Sequence, residues 1–75
     1  MTDEELDDAI LAAHAVSDAD RLAQLYSDAA QRKQKEGDGK AYGFLLVQAY
    51  VFALESGSPL ANDLHARLKR MGREA

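Results

Sequence analysis

Two histidines are the residues of this sequence best suited to proton transfer or metal binding. His14 stands four positions before Asp18, and this spacing places two potential metal ligands on one face of a helix. Neither His14 nor His65 carries the flanking carboxylate pattern of a zinc-binding helix. We therefore interpret both as ordinary, partly exposed histidines and predict no metal site.

Carboxylates crowd the N-terminus, where a pair of them could in principle act as general acid and base. They are Asp3, Glu4, Glu5, Asp7 and Asp8. Their position at the start of a helix is already explained by their favourable interaction with the positive end of the helix dipole. The chain has no cysteine, which excludes thiol nucleophiles and thiolate metal sites. The sequence predicts no enzyme and no cofactor.

A basic cluster near the C-terminus indicates a possible contact with nucleic acid. Its members are Arg67, Lys69, Arg70 and Arg73. Cations also favour the C-terminal end of any helix, and the whole chain carries a net charge of −4 rather than the basic footprint of a phosphate-binding protein. A nucleic-acid-associated regulator that uses these residues is therefore the alternative function, not the leading one.

The elements that position these residues are predicted to be four helices. Thr2 and Glu5 match a capping box, and Gly37, Gly57 and Gly72 are helix stops. Apolar periodicity predicts helices over about 3–16, 18–36, 40–56 and 59–71. Whether the break at Ser17 is a turn or a kink stays open. We predict a single all-α domain over residues 1–75, a bundle of three to four antiparallel helices.

The third helix is apolar on nearly every side, which places it at the centre of the bundle. Twelve apolar residues lie between Ala41 and Leu54, a run too short to span a membrane, and the neighbouring helices offer narrower apolar stripes. We expect Leu45, Ala49 and Phe52 to face the core, against Leu22, Tyr26 and Leu64. We expect an uncovered face to bind a partner, and its candidate residues are Tyr26, Tyr42, Leu46 and Tyr50.

The second and third helices resemble a tetratricopeptide unit. The run from Leu22 to Tyr26 is similar to the pattern of the first helix of that family, and the run from Leu46 to Glu55, followed by Pro59, is similar to the second. The sequence departs from the pattern where Leu46 replaces alanine and where the two helices are longer. The resemblance implies a helical hairpin at the centre of the bundle.

These observations together predict a small interaction module. Its partner would be a protein, a peptide or a second copy of the chain, bound through an apolar, tyrosine-bearing surface. The segment Met1 to Glu5 is acidic where a secretory signal is basic and then apolar, which predicts a cytoplasmic location.

Overall fold

Four α-helices account for the secondary structure of residues 1–72, the part of the chain that this computed structural model describes. The helices are α1 (Asp3–Ala15), α2 (Ala19–Lys35), α3 (Gly39–Ser56) and α4 (Leu60–Arg70). The described residues contain no strand, which confirms the prediction of a small all-α bundle. Each helix end lies within one residue of its predicted position.

The three turns between the helices share one geometry and recur at intervals of 20 residues. Each contains a residue with positive φ, namely Ser17 at 54°, Gly37 at 79° and Gly57 at 67°. The residue after each of these donates its N–H to a carbonyl five positions earlier, at 2.9 to 3.0 Å. This is the Schellman pattern that ends a helix and satisfies its last carbonyls. The break at Ser17 is therefore a turn and not a kink.

Side-chain caps begin the helices that follow these turns. Asp18 and Asp38 each accept the backbone N–H three residues further on, at 3.1 Å, and the Ser58 hydroxyl accepts a backbone N–H of α4 at 3.2 Å. At α1 the predicted capping box is present, with Thr2 and Glu5 exchanging bonds of 2.8 and 3.1 Å. Caps of this kind matter in a domain with so small a core.

The helices pack in chain order around a central pair. α2 and α3 form the most extensive interface, while α1 packs on α2 and α4 packs on α3. The Cα atoms occupy a slab of 31 × 29 × 14 Å. Small, fully buried residues lie in the core cluster shared by α2 and α3: Ala23, Ala30, Ala49 and Ala53. Such small residues let the backbones of α2 and α3 approach closely. One side of α3 is therefore packed against its neighbours α2 and α4.

The predicted core residues of α3 are all packed against its neighbours, but to different degrees. Ala49 is fully buried, whereas Leu45 and Phe52 are only partly buried. Leu22 and Leu64 are buried as expected. Phe52 lies at the edge of the core because it meets the aromatic side chains that connect the outer helix α1 to the central pair.

Each histidine joins an outer helix to the central pair. The His14 ring of α1 lies 2.9 Å from the Tyr26 hydroxyl, measured from Nε2, and contacts the Phe52 ring edge-on. The His65 ring of α4 stacks on the Tyr50 ring of α3, with 5.7 Å between centroids. The two histidines are therefore packing residues on opposite flanks of the bundle.

Candidate functional site

An open row of apolar side chains runs along α3. Phe44, Val51 and Leu54 are 60%, 48% and 57% exposed, and Val47, which is half-buried, completes the row. We call these four residues the α3 strip. They follow one another at spacings of three, four and three residues, which places them on one face of the helix.

The α3 strip is exposed because α3 packs against the other helices through its opposite face. Leu46, Ala49 and Ala53 have no exposed surface. At 100° per residue, Phe44 and Val51 lie roughly half a turn from these residues and point away from the core. Isolated apolar residues are ordinary on protein surfaces, but a contiguous row on one helix face marks a contact surface.

One charged residue stands at each end of the α3 strip. Lys40 is the second residue of α3 and Glu55 is the second from its end, and both are exposed. Helical geometry places both on the same side as the strip. They are the only Asp, Glu, Lys or Arg residues of α3, so the strip is an apolar row with a cation at one end and an anion at the other.

Two of the four residues expected on the open face are in the core instead. Leu46 is fully buried and Tyr42 is 8% exposed, so the prediction that they lie on the uncovered face is wrong. Both belong to the core cluster that α3 shares with α2 and α4. Tyr26 and Tyr50 are half-buried, and both rings contact histidines. The residues that sequence analysis missed are Phe44, Val51 and Leu54.

A groove of about 490 Å³ lies between α1 and α2, beside α3, and most of its charged groups are paired within the protein. Asp3 and Arg32 line it and form an ion pair at 2.9 Å, while Arg32 also donates to the Met1 carbonyl. Lys33 lines it as well, and a hydrogen bond to Glu36, with the attraction of that carboxylate, raises the pKa of Lys33. The groove is a junction of helices whose charged side chains, apart from Asp7, are paired within the protein.

The basic cluster of α4 is partly engaged in the fold. Arg67 forms an ion pair with Asp63, one turn earlier, at 3.1 Å. Lys69 and Arg70 are exposed in the last turn of α4. Arg73 lies outside the described residues. The observed arrangement is that of cations at a helix C-terminus, where the dipole favours them.

The described residues bring together no group of three or more His, Cys, Asp or Glu side chains able to hold a metal ion. His14 directs its Nε2 atom toward the Tyr26 hydroxyl. Within residues 1–72, none of the helices combines the length and the apolar character needed to cross a membrane.

Comparison of the chain with family models, with curated protein sequences and with solved structures finds no match. The tetratricopeptide resemblance of α2 and α3 therefore stays a prediction.

Proposed function

We propose that this protein is a small cytoplasmic interaction module that binds a protein surface through the α3 strip. The observation that carries the proposal is the exposure of Phe44, Val51 and Leu54 in one row on the central helix. Burying such a row releases about 25 cal/mol for each Å² of apolar surface removed from water. Aromatic residues on this kind of surface commonly dominate binding energy, which makes Phe44 the expected anchor.

The architecture supports this role, because α3 is held on its opposite face and needs no rearrangement to present the strip. Fully buried Leu46 and Ala49 anchor it to the neighbouring helices. A preformed helix loses little conformational entropy on binding, so more of the burial energy appears as affinity. The tetratricopeptide-like hairpin, in which paired helices present a binding surface, belongs to the same proposal.

Photo-crosslinking from the strip tests the proposal in cells of the source organism. Benzoylphenylalanine replaces Phe44, an aromatic residue for an aromatic residue, and in a second variant replaces Gln34, an exposed polar residue of α2. We expect adducts from position 44 that position 34 does not form, whether the captured protein is this chain or another.

Competition separates strip binding from random capture. If another protein is captured, excess unlabelled protein should suppress the adducts from position 44; if the captured protein is this chain, the excess unlabelled protein should itself enter the adducts. The same excess of Val51→Glu should do neither, because a carboxylate in the row resists desolvation. Equal adduct patterns from positions 44 and 34, or the same effect of both competitors, would contradict the proposed function.

A further inference from the structure

We infer that the α3 strip binds the α3 strip of a second copy of this chain, with the two helices antiparallel and related by a twofold axis. The inference rests on the proposed function and names the partner. It follows from three features of α3: the spacing of its exposed apolar residues, the position of its two charges, and the way those charges oppose the helix dipole.

The spacing of the strip is that of a helix-helix seam. Positions 44, 47, 51 and 54 alternate steps of three and four residues, the repeat with which two helices pack along their length. In an antiparallel pair centred near residue 49, Phe44 of one copy meets Leu54 of the other, and Val47 meets Val51. The twofold axis repeats both contacts, so one strip complements itself at both ends.

The charges at the two ends fit only the antiparallel arrangement. In that pair, Lys40 of one copy lies at the end occupied by Glu55 of the other. Their Cα positions are offset along the helix axis by about three residues, or roughly 4.5 Å, which these long side chains can span. A parallel pair would instead bring the lysines of the two copies together and the glutamates together, which is unfavourable.

The same two charges are placed against the dipole of their own helix. Acidic residues occupy the first turn of α1, α2 and α4, and basic residues the last turn of each. In α3 the cation Lys40 is near the N-terminus and the anion Glu55 is near the C-terminus, the less favourable arrangement. The stability of the isolated helix does not explain their positions, whereas two intermolecular ion pairs do.

The strip is narrower than the interface of a permanent dimer. A stable interface buries about 800 Å² on each partner, and four side chains on one helix present less than this. The expected product is a reversible dimer that forms as concentration rises from micromolar to millimolar. The free monomer remains folded, because Leu46, Ala49 and the other core residues are buried within one copy.

Sedimentation equilibrium of the full chain over that range of concentration tests the partner. We expect a monomer–dimer equilibrium for the natural sequence, its loss in Val51→Glu, and no change in Gln31→Glu. Gln31 is an exposed residue of α2, so this control adds the same charge away from the strip. A chain that stays monomeric at millimolar concentration overturns the inference, as does a dimer unaffected by Val51→Glu.

Charge reversal tests the orientation. Lys40→Glu and Glu55→Lys should each weaken dimerisation about tenfold, and the double variant should recover most of the loss because both ion pairs form again with opposite polarity. The two residues lie 15 positions apart on one helix, about 22 Å, so they cannot pair within one copy. A double variant as weak as the single variants overturns the antiparallel arrangement.

Both reversals place a favourable charge at the end of α3, so thermal melting of the diluted proteins should show no destabilisation. Loss of dimerisation then reports the interface and not unfolding. If the chain stays monomeric and the crosslinker at position 44 captures a different protein, the result would support the proposed function and overturn this inference.

Discussion

The rings of Tyr26 and Phe52 stack almost in parallel, with an angle of 5° between their planes and 5.7 Å between their centroids. The His14 ring stands edge-on to both, at 5.9 and 5.6 Å. Three helices meet at this cluster, since His14 belongs to α1, Tyr26 to α2 and Phe52 to α3. Stacked and edge-to-face arrangements of this kind add to the energy of apolar burial.

Phe52→Ala should lower the free energy of unfolding by about 2 to 3 kcal/mol. Removing a fully buried phenylalanine costs about 3 to 5 kcal/mol, and Phe52 is only partly buried. Urea unfolding followed by circular dichroism measures the change. Phe52→Leu is the matched control, because it keeps apolar volume without the ring contacts and should lose less than the alanine variant. A midpoint unchanged by Phe52→Ala would show that the cluster does not hold α1 on the bundle.

Ser17→Gly should raise the free energy of unfolding by about 0.5 to 1 kcal/mol. Ser17 has a φ of 54°, a conformation that costs a residue with a Cβ about 1 kcal/mol or more and that glycine adopts freely. The equivalent positions in the next two turns are already Gly37 and Gly57. The greater freedom of glycine in the unfolded chain removes part of the gain.

The same serine-to-glycine change inside a helix is the control for this prediction. Ser27→Gly in α2 should destabilise by about 0.5 to 1 kcal/mol, because glycine is a poor helix former. If the chemical denaturation midpoints of Ser17→Gly and Ser27→Gly both fell, the prediction would be wrong. The Ser17 side chain would then stabilise the fold by more than its positive φ destabilises it.

The helix bounds were predictable because local chemistry sets them. The Thr2–Glu5 box, the acidic cap residues Asp18 and Asp38, and Gly57 all act within a few residues of the chain. The all-α fold followed for the same reason, since each helix carries its own start and stop residues.

The orientation of α3 was not predictable in the same way. Its apolar residues surround the helix, so periodicity contains no information about which side faces the core. The sequence predicts Tyr42 and Leu46 on the open face, but both are buried, while Phe44 is exposed. The sequence contains one indication of the side that faces the core, the pair Ala49 and Ala53. Small residues on one side of a helix allow a neighbouring helix to approach closely.

The capping box at α1 should make stability depend on pH. Backbone and hydroxyl hydrogen bonds with Thr2 lower the pKa of Glu5. A carboxyl whose pKa is lower in the folded state stabilises the fold above its unfolded pKa, and this contribution is lost as the pH falls through the folded pKa. We therefore expect Glu5→Ala to melt at a lower temperature than the natural sequence at neutral pH, and the gap to close in acid.

Glu4→Ala is the control, because Glu4 lies in the same turn of α1 and the box uses Glu5. Both substitutions remove one charge near the helix start and introduce the same side chain, so the difference between them reports the hydrogen bonds with Thr2. Melting curves from neutral pH to below the Glu5 pKa measure this. Identical pH profiles for the two variants would contradict a role of the box in stability.

Leu46→Ala and Phe44→Ala should differ sharply although the residues lie two positions apart on α3. Leu46 is fully buried, and truncating it should cost about 2 to 5 kcal/mol through lost contacts and a cavity. Phe44 is 60% exposed, and truncating it should change the free energy of unfolding by less than about 1 kcal/mol. Urea unfolding at micromolar concentration, where copies of the chain are separate, measures both values. Both variants introduce alanine into α3, so helix propensity contributes little to the difference between their free energies of unfolding. If Phe44→Ala were as destabilising as Leu46→Ala, Phe44 would belong to the core and the α3 strip would not be available to a partner.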